Sequence, residues 1–265
     1  GGAVFNEDSA DVDFRVESNG NANMLFVDGG NDRVGLGTAA PAATLDVGGG
    51  LIADPTIRID SASGGDPTLI FDGSAANRSG LIKFYDNGST TGGFISYLHN
   101  GDVMNFGAGT TGTASLTIGD GYVSMPTQPA FQARAATTQS NIPINAETTI
   151  VLGSEIFDVG SNFASNTFTA PVTGKYQLNA ILYMSNVDID TQYYQLELVT
   201  SNRVYYAILT SDTYATDPDY VTINVSGLAD MDASDTAYLR VEIPNNGAAQ
   251  MDIVVETTFS GFLAC

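Results

Sequence analysis

The sequence predicts an all-β protein built from two dissimilar parts. Along most of the chain, short runs of apolar side chains alternate with polar ones, which is the period of a half-buried strand. Asn-Gly and Asp-Gly dipeptides separate many of these runs and favour tight turns. No stretch shows the 3.6-residue periodicity of an amphipathic helix. We therefore expect strands and turns, and no helical domain.

Glycine usage divides the chain. Of 29 glycines, 23 lie in residues 1–128 and 6 in residues 129–265. Between these parts, residues 125–129 read Met-Pro-Thr-Gln-Pro, and two prolines three positions apart predict an extended connector. The expected domains are a glycine-rich β-shaft over residues 1–126 and a second β domain over residues 129–265.

The first part repeats one strand-turn unit. Val12, Phe14 and Val16 alternate with charged residues, and Asn19-Gly20 then supplies a turn. The same unit returns as MLFV at 24–27, TLIF at 68–71, LIKFY at 81–85, FISYL at 94–98 and SLTI at 115–118. The turns that follow these runs are Asp28-Gly29, Asp72-Gly73, Asn87-Gly88, Asn100-Gly101 and Asp120-Gly121. This pattern predicts a series of short strand pairs.

Each of these strands offers only two or three apolar side chains. That is too few for an isolated sheet to offset the entropy lost on ordering it. A thin shaft in which three chains share one core satisfies both the glycine content and the sparse hydrophobicity. A β-solenoid or sandwich formed by one chain is the alternative.

Residues 31–47, NDRVGLGTAAPAATLDV, resemble a motif of bacteriophage tail-fibre and spike proteins that also occurs in some bacterial surface proteins. The motif contains no catalytic residue. The resemblance implies an architecture and an origin for the shaft rather than a reaction.

The second part is organised around residues 157–183, FDVGSNFASNTFTAPVTGKYQLNAILY. Within it Phe168, Val172, Tyr176, Leu178 and Ala180 recur at even spacing, as in strands of a half-buried sheet. With PAFQAR at 129–134 and TFSGFL at 258–263, this stretch resembles the globular head of the complement C1q and tumour-necrosis-factor-like family. The resemblance implies a jelly-roll β-sandwich assembled as a homotrimer. It places six aromatic residues at core or subunit-contact positions, namely Phe131, Phe157, Phe168, Tyr176, Phe259 and Phe262.

Two adjacent tyrosine pairs, Tyr193-Tyr194 and Tyr205-Tyr206, are expected to place one ring inside and one outside. An outward tyrosine suits a subunit contact or a ligand surface, because its ring is apolar and its hydroxyl polar. Both interpretations stay open here, with subunit contact preferred.

Composition argues against several functions. Thirty acidic and nine basic residues give a net charge of −21, which disfavours nucleic-acid binding. No apolar run approaches the roughly 20 residues that a membrane-spanning helix needs, so we expect no membrane insertion. His99 and Cys265 are the only histidine and cysteine, so one chain cannot assemble a His-paired nucleophile or a zinc site with several such ligands. We predict no catalytic residues and no enzymatic activity.

Several carboxylates are candidates for a catalytic or a calcium site. Asp217 and Asp219 lie in a loop-like segment, and Asp230, Asp232 and Asp235 lie in a segment that we expect to be a loop between two strands. Carboxylates flank the scissile bond in glycosidases, but exposed loop acids are usually solvated. A calcium site involving these five residues is the more favoured special role, and calcium is the only cofactor that we consider. In the resembled family a Gly-Asp pair ends the second segment, whereas Ser234-Asp235 stands here.

The expected receptor contacts are on the face of the head away from the connector. Residues 211–220 form the most loop-like insert, with Tyr214 as a stacking ring and Asp217 and Asp219 as hydrogen-bond acceptors. Asp188 and Asp190, in residues 187–190, are the second candidates.

The resemblances together predict a bacteriophage tail fibre or similar virion appendage. It would bind a host-surface glycan or outer-membrane component through the head and other virion proteins through the N-terminal end. The alternatives are a structural decoration or filament protein of a virion or bacterial surface and, less favoured, a polysaccharide depolymerase.

Overall fold

The computed structural model describes residues 4–5, 11–48, 68–71, 78–85, 92–109, 112–244 and 251–265. The chain forms two compact units, Gly1–Ile70 and Phe71–Cys265. Within the described ranges the regular structure consists of strands and one 3-10 turn, Ser211–Thr213. None of the described residues forms a helix long and apolar enough to cross a membrane.

The first unit contains one four-stranded sheet with the order β1-β2-β3-β4. Its strands are Phe14–Val16 (β1), Leu25–Asp28 (β2), Arg33–Leu36 (β3) and Leu45–Val47 (β4). The first three strands are antiparallel, but β4 runs parallel to β3, so the chain must cross one face of the sheet between them. The motif at residues 31–47 is therefore a strand, a crossing loop and a parallel strand.

Glycine chemistry explains how that loop lies close to the sheet. A side chain at Gly35 would place its Cβ 2.4 Å from the carbonyl oxygen of Thr38, so only glycine fits there. Gly37 has a φ of 85°, which favours glycine. Arg33 Nη1 donates to the carbonyl of Pro41 at 2.7 Å and fixes the loop over the face that carries Arg33 and Gly35.

The second unit begins with a five-stranded antiparallel meander. Its strands are Ser79–Lys83 (β5), Phe94–Leu98 (β6), Val103–Gly107 (β7), Leu116–Gly119 (β8) and Tyr122–Ser124 (β9). The predicted strands at 81–85, 94–98 and 115–118 are confirmed to within two residues, and Gly101 and Gly121 adopt positive φ in the predicted turns. The prediction of a strand at 68–71 is wrong, because none of these four residues lies in a strand. The predicted turns at Asp72-Gly73 and Asn87-Gly88 lie outside the described residues.

The rest of the second unit consists of two packed sheets whose strands all lie at or beyond Ala130. One sheet has the order β11-β21-β16-β22-β10-β13, with β19 on the other side of β16. The second has the order β14-β15-β20-β17-β18, with β12 also on β20. The strands of the first sheet are Ala130–Arg134 (β10), Gln139–Ile142 (β11), Ser154–Val159 (β13), Gly174–Ser185 (β16), Tyr220–Met231 (β19), Met251–Ile253 (β21) and Thr258–Leu263 (β22). Those of the second are Thr148–Thr149 (β12), Phe163–Ala164 (β14), Thr167–Thr169 (β15), Tyr193–Thr200 (β17), Val204–Thr210 (β18) and Thr236–Glu242 (β20).

This strand order is that of a jelly roll. The chain passes repeatedly from one sheet to the other. Strands β15, β17, β18 and β20 belong to the second sheet, whereas β16, β19 and β22 belong to the first. This alternation is typical of Greek-key connections in a sandwich. The predicted fold class, all-β with a jelly-roll head, is confirmed. The division into shaft and head at residues 126–129 stays a prediction, since the first compact unit ends at Ile70.

An aromatic cluster lies between the two sheets of the head. The ring centroids of Phe131 and Phe168 are 4.6 Å apart, and the ring of Phe259 meets that of Phe131 edge-on at 4.9 Å. Tyr176 joins the cluster and donates its hydroxyl to the carbonyl of Val172 at 2.8 Å. Burial raises the pKa of the Tyr176 hydroxyl. The last strand, β22, lies centrally in its sheet, between β10 and β16.

The long pairing of β16 with β19 defines two ends of the sandwich. Gly174 pairs with Met231 at one end and Ser185 pairs with Tyr220 at the other. The first end also contains Pro129, whose carbonyl accepts a hydrogen bond from the amide of Leu263 at 2.9 Å. We call it the connector end, and we call the opposite end the loop end. At about 3.3 Å per residue, the two ends of a 12-residue strand are about 36 Å apart.

Candidate functional site

Two loops that are distant in sequence meet at the loop end. They are residues 186–191, after β16, and residues 211–219, before β19. The amide of Ile189 donates to Oδ1 of Asp217 at 3.0 Å, and Ser211 Oγ donates to the carbonyl of Thr191. The sequence predicted each loop separately, and the structure brings them into one surface, which we call the loop-end surface.

The first loop is held by one buried tyrosine. The hydroxyl of Tyr194 accepts a hydrogen bond from the amide of Asp188 at 2.8 Å and donates to the carbonyl of the same residue at 3.1 Å. Asp188 Oδ1 in turn accepts the amide of Asp190 at 2.7 Å. Asp188 is therefore committed largely to the shape of its own loop, while Asp190 is exposed.

Asp217 has a comparable role in the second loop. Its Oδ1 is engaged by the amide of Ile189, so it ties the two loops together although its side chain lies at the surface. Tyr214 and Asp219 lie in the same loop and are exposed. Among the described residues, no hydrogen bond involves either of these two side chains. These two residues are the ones best placed to contact another molecule.

Sequence reasoning missed two tyrosines of this end. Tyr220 is 60% exposed, and its ring centroid lies 5.4 Å from that of Tyr183 on the outer face of the sheet. Tyr183 on β16 and Tyr220 on β19 are on paired strands, and both side chains are on the outer side of the sheet. The sequence could have indicated the exposure of Tyr220, because alternation along a strand puts this residue on the same side as the polar residues Thr222 and Asn224.

A third polar group borders the same end. Asp252 on β21 accepts the side-chain amide of Asn186 at 2.9 Å through Oδ2 and the backbone amide of Asn141 at 2.8 Å through Oδ1. These bonds join β21 to the loop after β16. Only the pairing of distant strands reveals this contact, so no local sequence pattern could have identified it.

The charge of the loop-end surface is entirely acidic. Residues 186–191 and 211–220 contain Asp188, Asp190, Asp212, Asp217 and Asp219 but no lysine or arginine. An anionic ligand would meet a field of its own sign here. Neutral or cationic ligands with hydroxyl or amino groups suit this surface better, because carboxylates are hydrogen-bond acceptors.

The structure separates the five residues proposed for calcium. Asp217 and Asp219 lie at the loop end. Asp230, at the end of β19, and Asp232 and Asp235, just after it, lie at the connector end. One ion cannot contact both groups, and a calcium role for either group stays a prediction. Among the residues that the structure describes, no three His, Cys, Asp or Glu side chains lie close enough together to hold a metal ion.

The carboxylates at the connector end have partners within the protein. Asp230 is on β19 rather than in the predicted loop, because the strand continues to Met231, and it forms an ion pair with Lys175 Nζ. The hydrogen bond and charge of Lys175 hold the pKa of the Asp230 carboxyl below its ordinary value. Asp235 Oδ2 accepts the amide of Asp232 and the side-chain amide of Asn202, each at 2.9 Å. These carboxylates accept hydrogen bonds or form ion pairs within the protein and shape a turn at the connector end.

That turn contains a serine, Ser234, with an unusual backbone conformation. Ser234 adopts a φ of 78°, in the left-handed region that glycine enters without steric cost. Its amide nevertheless donates to the carbonyl of Ala170 at 2.7 Å. Ser234 thus forms this turn in a backbone conformation that favours glycine.

The six aromatic residues assigned to core or subunit contacts fall into two groups. Phe131, Phe168, Tyr176 and Phe259 are buried between the sheets, whereas Phe157 and Phe262 are exposed on the outer face of the first sheet. Val172, which the even spacing placed in a strand, lies in the turn before β16 and is exposed.

The tyrosine pairs behave in part as alternation predicts. Tyr194 is buried and Tyr193 is partly exposed, and Tyr206 is exposed on the outer side of β18. Tyr205 is directed at the other sheet, where its hydroxyl donates to the carbonyl of Leu228 at 3.0 Å and its ring covers Gly227. This contact closes one edge of the sandwich.

No protein-family model matches the chain, and no curated protein sequence matches it. Among solved structures, the globular domain of a zebrafish complement 1qA protein is 13% identical, with a TM-score of 0.39, over 52% of this chain and 98% of its own. Murine APRIL at pH 8.0 is 14% identical, with a TM-score of 0.37, over 51% of this chain and 98% of its own. The same protein at pH 5.0 gives a TM-score of 0.36 at the same identity and coverage. Similarity at this level carries no argument about function, and the fold assignment rests on the sheet order.

Proposed function

We propose that this chain is the homotrimeric subunit of a bacteriophage tail fibre or similar virion appendage, and that the loop-end surface binds a glycan on the host cell. The observation that carries the proposal is the joining of residues 186–191 and 211–219 at the end of the head opposite Pro129. A receptor-binding end should be directed away from the point where the head is connected to the rest of the chain.

The chemistry of the surface favours sugars. Tyr214 and Tyr220 expose aromatic rings that can stack on the apolar face of a pyranose, and Asp190 and Asp219 expose acceptors for hydroxyl groups. Because the two loops carry acidic but no basic residues, we expect neutral or amino-sugar glycans to bind better than sialylated, uronic-acid or phosphorylated ones.

Assembly supplies the strength of attachment. A shallow, exposed surface binds one sugar chain weakly, but three heads on one shaft make the second and third contacts intramolecular. Multivalency of this kind raises the overall affinity by roughly 10²- to 10⁴-fold. The shaft would then act as the spacer, and its N-terminal end would bind other virion proteins.

The test uses the full chain on an array of bacterial surface polysaccharides. We expect binding to neutral glycans with no release of reducing ends, and a mass in dilute neutral buffer near three times 27.7 kDa. Release of reducing ends would make the protein a depolymerase. A trimer that binds no glycan and no bacterial cell would favour a decoration protein without a receptor.

A further inference from the structure

The four-stranded sheet of the first unit has one face without any charged residue. In the register of the sheet, Phe14, Val27, Val34 and Leu45 lie directly across from one another and therefore share a face. Residues two positions away share the same face. The complete apolar face consists of Phe14, Val16, Leu25, Val27, Val34, Leu36, Leu45 and Val47.

The opposite face of this sheet is different in composition and in coverage. It carries Arg15, Asp28, Arg33 and Asp46, and its one large apolar side chain, Phe26, is buried. The crossing loop lies over this face, through the hydrogen bond from Arg33 to Pro41. The sheet thus buries its mixed face and leaves its purely apolar face in solvent, the reverse of what a soluble single chain needs.

The apolar face is exposed in the part of the chain that the structure describes. Leu45 is 59% exposed and Val16 45%, and none of the eight side chains is buried. Phe5 places its ring 5.1 Å from that of Phe14 but is itself exposed, so it enlarges the face rather than covering it. Contiguous apolar patches of more than a few hundred Å² on a soluble protein mark interaction surfaces.

The five-stranded meander of the second unit repeats this construction independently. Ile82, Ile95, Phe106 and Leu116 form one cross-strand row on one face, and Tyr97, Met104, Ile118 and Val123 form the next row. Four of these side chains are exposed, namely Ile82, Met104, Ile118 and Val123. This face has no charged residue within its strands. The other face carries Lys83 and the polar residues Ser79, Ser96, Asn105 and Thr117, together with Leu81, Phe94, Leu98, Val103 and Tyr122.

Taken together, these features point to one occupant. We infer that both apolar faces are covered by the same faces of other copies of this chain, so that the shaft core is intermolecular. This inference rests on the proposed homotrimer and assigns the residues that hold its shaft together.

Charge and area both favour a second copy over a different protein. Copies that each carry a net charge of −21 repel one another unless the contact faces are free of charge, and these two faces are. A stable interface needs about 800 Å² per partner, so an occupant that covers both sheets is favoured over one that covers a single sheet. A copy of the same chain presents a matching face to each of the two sheets, whereas a different protein would need two separate complementary surfaces.

A proximity measurement tests the inference. In a Cys265→Ser background, Val27→Cys places one thiol on the apolar face, and Arg15→Cys places a matched thiol on the opposite face of the same sheet. Each variant of the full chain is treated with a short bis-maleimide at low protein concentration. We expect about tenfold or more cross-linked dimer from Val27→Cys, because the effective concentration within an assembly is on the order of millimolar. Equal cross-linking of the two variants would overturn the inference.

A second pair of variants checks that the apolar face stabilises the first unit through association. Leu45→Asp adds a charge to a side chain that a lone chain already exposes, and Met24→Asp, 48% exposed before substitution, is the control. Hydrogen exchange over residues 14–47 should speed up in Leu45→Asp and not in Met24→Asp. Unchanged exchange in both variants, or a single-chain mass with protected amides, would mean that no other copy covers the face.

These outcomes are separable from receptor binding. A chain that cross-links through Val27→Cys but binds no glycan keeps the shaft assignment and removes the receptor role. A monomeric mass for the unsubstituted chain contradicts both.

Discussion

The amide of Ile189 donates a hydrogen bond to Oδ1 of Asp217 at 3.0 Å, and this bond joins two loops that are 28 residues apart in sequence. It makes Asp217 a positioning residue for the loop-end surface. The sequence predicts the same kind of role, contact with a receptor, for Tyr214, Asp217 and Asp219. The structure separates Asp217 from the other two.

Asp217→Ala should therefore loosen the loops, and Asp217→Asn should retain them, because the asparagine side chain keeps an acceptor oxygen. We expect a local loss of about 1 kcal/mol in the alanine variant, since the bond is near the surface. Amide hydrogen exchange at Ile189 measures it. Equal exchange rates in both variants would show that the bond does not hold the loops.

Phe259→Ala tests the core of the head. Phe259 is 0% exposed and packs edge-on against Phe131, so its removal leaves a cavity and should cost about 3–5 kcal/mol. Phe262→Ala, on the same strand but 47% exposed, is the matched control and should leave the fold intact. Chemical denaturation of both variants gives the comparison. A small effect of Phe259→Ala would place β22 outside the core.

Ser234→Gly should stabilise the protein. Left-handed backbone costs a non-glycine residue roughly 1–2 kcal/mol, and part of that cost is offset by the greater freedom of glycine in the unfolded chain. We expect a gain of about 1 kcal/mol and a higher Tm. Ala233→Gly, the neighbouring position, serves as the control and should not stabilise. A lower Tm for Ser234→Gly would mean that its side chain has a role that the turn geometry does not explain.

The ion pair of Lys175 with Asp230 should contribute a pH-dependent stability. The pKa of Asp230 is lowered in the folded chain, so its contribution is present above the ordinary pKa of an aspartate and is lost as the pH falls through the lowered value. The Tm difference between the unsubstituted chain and Asp230→Asn should thus shrink in acid. Because both side chains are exposed, added salt should reduce it at neutral pH as well. A difference that is unaffected by pH would contradict this account.

Local patterns predicted local structure well. The run FISYL forms β6, and the Asp120-Gly121 pair forms a turn in which Gly121 has a φ of 78°. The prediction of a strand at TLIF, residues 68–71, was wrong because an apolar run alone does not supply a partner strand. Asp230 was placed in a loop because alternation does not reveal where pairing ends, and β19 follows β16 for its full length.

The candidate site needed information that no local pattern contains. Residues 187–190 and 211–220 were each recognised as loops, but their contact depends on the register that pairs Ser185 with Tyr220. The same register sends Asp230, Asp232 and Asp235 to the opposite end. The two acidic segments, only about ten residues apart in sequence, therefore lie at opposite ends of the head.

The most direct test of the central claim is adsorption to cells with Tyr214→Ala and Asp219→Ala combined. This variant removes an exposed ring and an exposed carboxylate and leaves Asp217 in place to hold the loops. Tyr206→Ala with Glu155→Ala is the matched control, since it removes one exposed tyrosine and one exposed acid elsewhere on the head. The fraction of protein bound to a bacterial strain that the unsubstituted chain recognises is measured beside the mass of each variant. We predict that the loop-end variant stays trimeric and loses adsorption while the control keeps both; full adsorption by a trimeric loop-end variant would contradict the claim.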